Sequence, residues 1–557
     1  MKKLRIGILC PDFNKLENWE CRIFKEITRS NWGEIVVLIK DQRKKIKKNL
    51  IKKLLNSENI VNKILLKLIF YIENKIIKLK FGKKFNLNKN EKLEILYSFK
   101  KIKEIYLKPS HESKYVDYFN ENDCEEIKNL NLDVLLRHEF KILKGKILSI
   151  PKHGVWSFHH GDNDVNRGGP PGFWEIMFNQ QITGVTLQKL NEELDGGAII
   201  EKGFYPTKKS FAYNQKFIYE KSVEIILKNL KLLHLTGSIN LTASKPYNKK
   251  ILTIPRNVSW IFKYTCVLLK IFNNKIKNFF TKFLGYRLNA WAIFFQKGKI
   301  ISSNLSNSIY FKPNKNEFWA DPFALDFNEK KYLFFENYSY KKNKGKICCA
   351  TFFDGKIQNI QDALELDYHL SYPFVFALND SIYMMPETIE SKRLEIYRAI
   401  DFPIKWELFS TGFHGERIAD PTLFIENKNK IWLFLNKSND FSGDFNSELY
   451  IYKISDLKLQ EITAHKLNPV IIDSRRARNA GNIFVNNGKI IRPSQFNIGS
   501  KYGFGLNLSE ITNLSIDHYE EKLIKTFKPD FRDNLSGIHH LTQLKDEFFF
   551  DACFKKL

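Results

Sequence analysis

Short apolar runs and a helical segment alternate at the start of the chain. Residues 4–10 (LRIGILC) and 34–39 (EIVVLI) are rich in aliphatic side chains, and a helical segment at 19–28 lies between them. Strand, helix and strand in this order are typical of a parallel sheet covered by helices. The pattern therefore predicts an α/β domain.

The same pattern resumes further along the chain. It predicts strands at 132–140, 155–159, 183–190 and 196–206, a short helix and turn at 141–154, and an amphipathic helix at 217–235. We assign residues 1–250 to one α/β domain on this basis.

Two basic segments interrupt the pattern. The first is a helical insertion at about 43–95, where Arg43 to Lys84 hold fourteen basic residues against two acidic ones. The second is a basic aromatic linker at 251–290, in which residues 258–287 hold six basic residues and no acidic one. The first segment predicts either a helix that packs on its own domain or a helix on a membrane surface, and the second predicts either an interdomain packing helix or an interfacial membrane contact.

Residues 291–557 repeat one pattern five times. A turn with Asp, Pro or Gly, an apolar strand, a second turn and an aromatic strand recur at 318–337, 371–388, 418–437, 477–495 and 536–554. Successive equivalent positions are 51, 48, 60 and 58 residues apart; they are Pro322, Pro373, Pro421, Gly481 and His539. This period predicts an all-β five-bladed propeller whose repeated strands line the axis. A β-sandwich is the competing fold, and the repeated turn chemistry argues against it.

Composition narrows the partners and the compartment. The formal net charge is +28, which suits a polyanion, a phosphorylated sugar or an anionic membrane, or reflects a lysine-rich composition bias. Seven scattered cysteines without a CxxC pair indicate a reducing compartment. The apolar run after the N-terminal lysines is too short for a signal peptide. We expect a cytoplasmic protein, either free or peripheral to the inner face of the membrane.

The stretch 155–172 (VWSFHHGDNDVNRGGPPG) carries the most reactive side chains. Alternation along a strand places Ser157 and His159 on one face, at the end of the strand, where α/β folds hold their active sites. His159 and His160 would face opposite ways, and no ligand spacing here matches a zinc site. The sequence therefore predicts no metal.

This stretch and its surroundings resemble the formyltransferases that use 10-formyltetrahydrofolate, which act on glycinamide ribonucleotide, methionyl-tRNA and sugar amines. The shared features are Ile150-Pro151 and Gly154, then Ser157-Phe158-His159, Arg167-Gly168, TGVT at 183–186 and LDGG at 194–197. His159 and Asp195 lie 36 residues apart, the separation expected of the family. The match covers about residues 130–205 and implies a Rossmann-like α/β formyltransferase domain.

The resemblance implies a role for each position. His159 would relay a proton or stabilise the oxyanion while an amine attacks the formyl carbon, and Asp195 would orient its imidazole. The predicted donor-binding residues are Leu136, His138, Phe140, Gly196 and Gly197. Arg167 and Gly168 would hold an anionic group of the substrate, such as a sugar phosphate.

Ser157 is a departure from the family. An asparagine stands at this position in the formyltransferases, and its amide donates to the formyl oxygen. A serine hydroxyl can also donate a hydrogen bond, but the serine side chain is shorter. Losing a hydrogen-bond donor to the oxyanion can cost about 10²- to 10³-fold in rate. The serine is repositioned, or His160 or Asn163 takes over, or the domain has changed its activity.

The propeller has candidate residues of its own. Asp321, Glu387 and Asp420 are expected near the axis, where paired carboxylates could cleave a glycosidic bond or bind a sugar. The motifs also resemble the N-terminal propeller of plant glucosamine inositolphosphorylceramide transferases, which favours binding over hydrolysis.

Together these features predict formyl transfer from 10-formyltetrahydrofolate to the amine of a nucleotide- or lipid-linked amino sugar, in surface glycan biosynthesis. The alternative is a glycoside hydrolase or glycan-binding protein with a degenerate first domain. Nucleic acid is not the expected partner, since methionyl-tRNA formyltransferases normally continue into a small barrel and this chain continues into a propeller.

Overall fold

The structure is a computed structural model. It describes residues 2–10, 16–43, 60–85, 94–95, 97, 99–113, 115–253, 258–283, 288–427, 430–438 and 442–556. The chain divides into two compact units, Met1–Phe272 and Asn273–Leu557.

The first unit contains ten strands: β1 (Leu4–Leu9), β2 (Gly33–Asp41), β3 (Lys103–Leu107), β4 (Ser110–Ser113), β5 (Val116–Tyr118), β6 (Val134–Arg137), β7 (Ile142–Lys144), β8 (Val155–His159), β9 (Ile182–Lys189) and β10 (Ala198–Pro206). The helices of the described chain are α1 (Asn18–Arg29), α2 (Ile60–Phe85), α3 (Glu121–Lys128), α4 (Trp174–Met177), α5 (Phe211–Thr236) and α6 (Val258–Phe283). The boundary between the two units falls within α6.

Seven strands of the first unit form one sheet, in the order β10-β9-β8-β6-β1-β2-β3. The neighbouring strands from β8 to β3 pair in parallel, whereas β9 and β10 pair antiparallel. From β1 the chain goes to β2 and β3 on one side, and later to β6 and β8 on the other. The strand order therefore reverses between β1 and β6, and ligands of open α/β sheets bind at such a switch point.

Local conformation explains two differences from the sequence prediction. The predicted strand at 132–140 is shorter, since β6 ends at Arg137 and Phe140 has a φ of 72° that extended strands do not adopt. The predicted short helix and turn at 141–154 begins as strand β7 and continues as a 3₁₀ helix, Lys146–Ser149.

The basic segments contain helices. Helix α2 lies within the insertion predicted at about 43–95, and residues 44–59 and 86–93 of that insertion lie outside the described residues. Helix α6 occupies most of the linker predicted at 251–290. The predicted domain boundaries themselves stay predictions.

The second unit is a five-bladed propeller, as predicted. Its strands are β11 (Leu288–Lys297), β12 (Ile309–Phe311), β13 (Glu317–Phe327), β14 (Lys330–Ser339), β15 (Lys344–Phe353), β16 (Lys356–Leu364), β17 (Ser371–Leu378), β18 (Ser381–Glu387), β19 (Leu394–Asp401), β20 (Lys405–Gly412), β21 (Ile418–Asn427), β22 (Lys430–Lys437), β23 (Glu448–Ile454), β24 (Ile462–Ala464), β25 (Ile471–Ile472), β26 (Phe484–Asn486), β27 (Lys489–Ile498), β28 (Lys501–Leu514), β29 (Tyr519–Phe527), β30 (Leu535–Gln543) and β31 (Glu547–Lys556).

The last blade joins the two ends of the propeller sequence. Its strand order is β12-β11-β31-β30, so that β11 from the beginning pairs with β31 from the end. The other four blades are β13–β16, β17–β20, β21–β24 and β26–β29, and β25 pairs with β23. Closure in this way leaves no unpaired edge between the first and last strands.

A β-bulge lies at the repeated sequence mark in several blades. The register shifts between Ala320 and Phe323 in β13, and at the equivalent places in β17, β21 and β30. Asp321, Tyr372 and Asp420 occupy the shifted positions with φ of 52°, 47° and 45°. Left-handed backbone is costly for residues other than glycine and is often held at functional positions. The Asp-Pro repeats therefore mark bulges within strands rather than turns between strands.

Candidate functional site

Strand β8 delivers the predicted polar pair to the carboxyl edge of the first sheet. It lies between β6 and β9, with Ser157 opposite Gln188 and His159 opposite Thr186. Ser157 is 4% exposed and His159 is 7% exposed. Both side chains are therefore held by the sheet, and their surroundings decide what each can do.

His159 and Asp195 form an ion pair. Nδ1 of His159 lies 3.3 Å from Oδ2 of Asp195, and Nε2 lies 2.8 Å from the carbonyl oxygen of Asn166. Burial alone would lower the pKa of His159, but Asp195 and the Asn166 carbonyl outweigh it and raise that pKa. Burial alone would raise the pKa of Asp195, but His159 and the Gly168 amide hold it below its usual value. Both ring nitrogens of His159 thus bind acceptors inside the protein.

A cavity of about 320 Å³ opens at the switch point, beside this ion pair. Its wall comes from the segments that follow β1, β6 and β8, together with α5. The lining residues are Glu17, Trp19, Glu20, Arg137, His138, Glu139, Ser157, Phe158, His160 and Tyr219. The wall is aromatic and carries three carboxylates and one guanidinium.

His160 is the lining residue with an unused polar atom. Its Nε2 is buried without a hydrogen-bond partner, and its ring lies 5.3 Å from that of Trp19 and 4.5 Å from that of Tyr219. Burial, followed by repulsion from His159 and His138, lowers the pKa of His160 to about 3. The imidazole is therefore neutral, and its Nε2 is closed to solvent with its hydrogen-bonding capacity unused.

The predicted anion-binding residue, Arg167, is bound within its own unit. It is 2% exposed and donates to carbonyl oxygens of Asn163 and Lys245 and, at 2.5 Å, to Glu193. A further bond goes to the Leu194 carbonyl, so four of its five N–H groups are used. In this geometry Arg167 fastens the loops around Asp195, and a substrate-binding role stays a prediction.

Two predicted glycine positions fit the same loop packing. A Cβ on Gly168 would lie 2.1 Å from the Leu252 oxygen, and one on Gly197 would lie 2.3 Å from the Lys189 oxygen. Gly168 also donates its N–H to Oδ2 of Asp195. On Gly196 a Cβ would meet the side chain of Glu193. Gly168 and Gly197 are thus required by close contacts with backbone oxygens, whereas at Gly196 the neighbour is a flexible side chain.

The three predicted donor-binding residues near β6 lie in different places. His138 lines the cavity, and its Nδ1 is 3.1 Å from Oε1 of Glu20. Leu136 is fully buried within β6. Phe140 packs with its ring centroid 5.5 Å from that of Phe119. Of the predicted residues in this unit, Ser157 and His138 line the cavity.

Sequence reasoning missed most of the cavity wall. Trp19, Glu20 and Tyr219 come from helices that read as ordinary amphipathic segments. The adjacent histidines offered a signal for His160, because alternation places it on the opposite face from His159. The cavity is lined by His160 and Phe158 from that face and by Ser157 at the edge of the other.

The propeller brings two of its predicted carboxylates together through an arginine. Arg478 donates from Nε to Asp420 at 2.6 Å and from Nη2 to Glu387 at 3.4 Å. The backbone N–H of Asp420 donates to Glu387 at 3.1 Å. All three side chains are at most 9% exposed. Burial raises the pKa of Asp420 to about 7, even though Arg478 opposes the rise.

The third predicted carboxylate, Asp321, belongs to a neighbouring group. Its N–H donates to Asp551 at 2.9 Å, and its Oδ1 lies 3.7 Å from Nε2 of His539. Nδ1 of His539 lies 2.6 Å from Asp551. Burial raises the pKa of Asp321 to about 7, whereas His539 outweighs burial and lowers the pKa of Asp551.

Asp321, His539 and Asp551 offer ligand atoms within 4.8 Å of one another, close enough to hold a metal ion. The sequence predicted no metal and did not bring these residues together. The short hydrogen bond between His539 and Asp551 already accounts for one nitrogen and one oxygen of the set.

Glu336 was missed by the sequence. Burial, with repulsion from Asp321, Glu387 and Asp551, raises its pKa well above the usual value. Glu336 pairs with Ala320 in the first hairpin, just as Glu387 pairs with Ser371 in the next. Equivalence between repeats was therefore the signal that could have found it.

Comparison with known proteins separates the two units. A family model described as glucosamine inositolphosphorylceramide transferase 1, N-terminal, matches residues 300–534. The transferase of this name from Arabidopsis thaliana is 34% identical over 210 residues, which are 37% of this chain and 27% of that protein. The chain thus spans about a quarter of the length of these plant relatives.

The first unit is similar to formyltransferases. Methionyl-tRNA formyltransferase from Prochlorococcus marinus is 38% identical over 82 residues, which are 14% of this chain and 25% of that one. A solved N-formyltransferase from Helicobacter canadensis, in complex with folinic acid and dTDP-3-aminofucose, matches with 16% identity and a TM-score of 0.28. That match covers 45% of this chain and 71% of the other. A formyltransferase-like α/β unit is therefore followed by a propeller of the plant transferase type.

Proposed function

We propose that the α/β unit transfers a formyl group from 10-formyltetrahydrofolate to the amine of a nucleotide- or lipid-linked amino sugar, in surface glycan biosynthesis. The propeller binds the glycan part of the acceptor. The observation that carries the proposal is the cavity at the switch point, with Ser157 in its wall and the His159–Asp195 ion pair beside it.

The reaction needs a hydrogen-bond donor to the formyl oxygen and an acceptor for the proton that the amine loses. The amine nitrogen attacks the formyl carbon, the carbonyl oxygen becomes negative, and the amine gives up a proton, which replaces the formyl group on N10 when the donor leaves. The bond from the formyl carbon to N10 of the donor then breaks, and N10 takes up this proton. Preorganised hydrogen-bond donors at the oxygen supply much of the rate in such acyl transfers.

Ser157 and His160 can replace the amide that the family asparagine supplies. Among the alternatives from the sequence, Asn163 is excluded as a donor because its side-chain amide binds the Asp195 carbonyl at 3.1 Å and is fully buried. His160 is neutral, lines the cavity and has an unpartnered Nε2, and Ser157 lines the same cavity. We assign the oxyanion contact to these two side chains.

His159 acts through charge in this arrangement. Its raised pKa favours the imidazolium, and both nitrogens bind acceptors within the protein. A buried positive charge beside the cavity stabilises a developing oxyanion without touching it. His159 is therefore a positioning and electrostatic residue, and Asp195 keeps it charged.

The cavity also fits the donor and the acceptor amine. Trp19 and Tyr219 are stacked, with ring centroids 5.5 Å apart, and offer aromatic faces to a pterin ring. 10-Formyltetrahydrofolate would supply the activated formyl carbon there. The carboxylates of Glu20 and Glu139 favour an amine. The name of the plant relatives, glucosamine inositolphosphorylceramide transferase, supports an amino sugar and a glycolipid as the acceptor class.

Mass spectrometry tests the proposal. The purified chain is incubated with 10-formyltetrahydrofolate and a panel of amino-sugar nucleotides, and the wild type is expected to add one formyl group to an acceptor. His160→Ala should slow transfer about 10²-fold, and His518→Ala, an exposed propeller histidine, should not. If no acceptor gains a formyl group and the chain does not bind folate, the assignment as a formyltransferase is wrong.

A second candidate is hydrolysis of a glycan by the propeller. It is favoured by Asp321 and Asp420, whose pKa values of about 7 would let a carboxylic acid donate a proton near neutral pH. Asp321→Asn, Glu387→Gln and Asp420→Asn decide between the candidates. The formyltransferase interpretation fails if these variants abolish activity on a glycan while His159→Ala leaves the activity of the protein unchanged.

A further inference from the structure

The second half of helix α6 has no packing partner in the described structure. Every side chain from Phe272 to Phe280 is exposed. The first half differs, since Ile261 and Tyr264 are buried, Tyr264 against an aromatic cluster. An exposed helix of a soluble domain is normally polar on its free faces, so the side chains along this one need an explanation.

One stripe of the helix is apolar over its whole length. Large apolar side chains recur three, four or seven residues apart, which places them on one side of a helix. They are Phe262 (67% exposed), Leu269 (55%), Phe272 (59%), Ile276 (40%), Phe279 (67%), Phe280 (57%) and Phe283 (79%). Such a contiguous apolar patch marks an interaction site.

Lysines border the stripe, and acidic residues are absent from the helix. Lys263, Lys270 and Lys277 each directly follow a stripe residue, at intervals of seven, and all three are exposed. Helix α6 contains no Asp or Glu. A basic edge beside aromatic residues matches an anionic lipid surface, where Phe enters the acyl boundary and Lys binds headgroups.

Helix α2 shows the same composition independently. Its single acidic residue, Glu73, is turned inward and accepts hydrogen bonds from the Ala212 N–H and the Tyr264 hydroxyl. Much of the remaining surface of the helix is apolar and exposed, at Ile64, Leu65, Leu68, Tyr71, Ile72, Ile76 and Leu79. Fourteen of the thirty-three large apolar side chains found exposed in the described residues lie on α2 and α6.

We propose that the apolar stripe of α6 docks the protein on an anionic phospholipid bilayer, with α6 lying in the plane of the interface. None of the described helices is long and apolar enough to span a bilayer. The stripe is narrow and the remaining faces carry Lys and Asn, the arrangement of a helix that lies on a membrane. A second protein would need acidic groups to face these lysines, and its binding is an outcome of the test.

Vesicle sedimentation with the full chain tests the docking. The wild type should sediment with vesicles of phosphatidylglycerol and phosphatidylcholine, and weakly with phosphatidylcholine alone. The triple variant Phe272→Ser, Phe279→Ser and Phe280→Ser should lose at least about tenfold in partitioning, because it removes three aromatic side chains that would be buried in the lipid. Lys270→Glu with Lys277→Glu should weaken binding to the anionic vesicles only, and added salt should do the same.

A matched variant controls for general effects. Phe353→Ser with Lys356→Glu changes an equally exposed aromatic residue and lysine on a propeller blade, and should bind vesicles as the wild type does. The proposal is overturned if the wild type does not bind anionic vesicles, or if the α6 triple variant binds as well as the control. It is also overturned if light scattering shows that the wild type is an oligomer and the triple variant a monomer, while neither the wild type nor the triple variant binds lipid. None of these readouts depends on formyl transfer.

Discussion

Each unit holds two adjacent histidines, at the end of β8 in the first and at the bulge within β30 in the second, and the two pairs share one electrostatic pattern. His159 and His539 each pair with an aspartate, and their pKa values are raised because that aspartate outweighs burial. The next residue in each case, His160 or His540, has its pKa lowered to about 3 by burial. In each pair the imidazole beside an aspartate therefore favours the protonated form, and its neighbour stays neutral.

The surroundings separate the two pairs. His160 lies in the wall of a cavity, whereas His540 packs between the rings of Phe323 and Tyr372 with both nitrogens buried and unpartnered. His539 stands among carboxylates of which Asp321 has its pKa raised by burial, whereas His159 has beside it Asp195, whose pKa is lowered. The same pair of residues is therefore placed for ligand contact in one unit and for packing in the other.

The largest expected effect is on the stability of the propeller. Asp551→Ala removes the carboxylate that accepts from Nδ1 of His539 and from three backbone N–H groups, of Asp321, His539 and His540. Leaving these buried donors unpaired should cost about 3–5 kcal/mol in the free energy of unfolding. Chemical unfolding followed by circular dichroism measures it. Asp546→Ala in the exposed turn before β31 is the control, and equal loss in both variants would contradict the prediction.

Asp195→Asn should have a smaller effect on stability and a large one on activity. Asparagine keeps an oxygen that can accept from the Gly168 N–H, so the loop can persist. The charge that holds His159 protonated is gone, and burial should then lower the pKa of His159 below its usual value. Formyl transfer should fall roughly 10²-fold. If an NMR titration gives His159 the same pKa in Asp195→Asn as in the wild type, this account is contradicted, whatever the rate of formyl transfer.

Arg167→Lys tests whether the buried arginine fastens loops or holds substrate. Lysine cannot reproduce the four hydrogen bonds of the guanidinium, so the free energy of unfolding should fall by about 1–3 kcal/mol. If the role is only structural, the KM for the sugar nucleotide should stay unchanged at low temperature, where the variant is folded. A KM that rises without loss of stability would restore the predicted anion site. Arg476→Lys, on the exposed surface, is the control.

The sequence predicted the architecture well because repetition and periodicity act locally. Alternating apolar runs gave the sheet, and five repeated hairpins gave the propeller, since each signal lies within one short segment. The predicted strand at 132–140 was too long: β6 ends at Arg137, and the chain beyond it reaches a left-handed residue, Phe140, which no sequence pattern predicts.

The candidate sites were predicted less completely because they depend on contacts between distant segments. The pairing of His159 with Asp195 came from a family resemblance, but that both nitrogens of His159 are occupied depends on the Asn166 carbonyl, which only the folded loop presents. Asp321 and Asp420 were found as part of an Asp-Pro pair, and Glu387 because a proline precedes it in the repeated hairpin. Glu336 has no such mark, and His539 was noted without its partner Asp551.

The smallest expected effect separates the units by their dependence on pH. The folded propeller keeps Glu336 protonated above its usual pKa of 4.5, while the unfolded chain ionises there, so this residue makes the protein less stable as pH rises. Glu336→Gln should therefore match the wild type within about 0.5 kcal/mol near pH 4 and exceed it near pH 8. Glu329→Gln, in the exposed turn of the same hairpin, should follow the wild type at both values. If Glu336→Gln leaves the slope of stability against pH unchanged, Glu336 is ionised in the folded propeller. That outcome would remove the contrast with Asp195, whose lowered pKa makes stability fall toward acid instead.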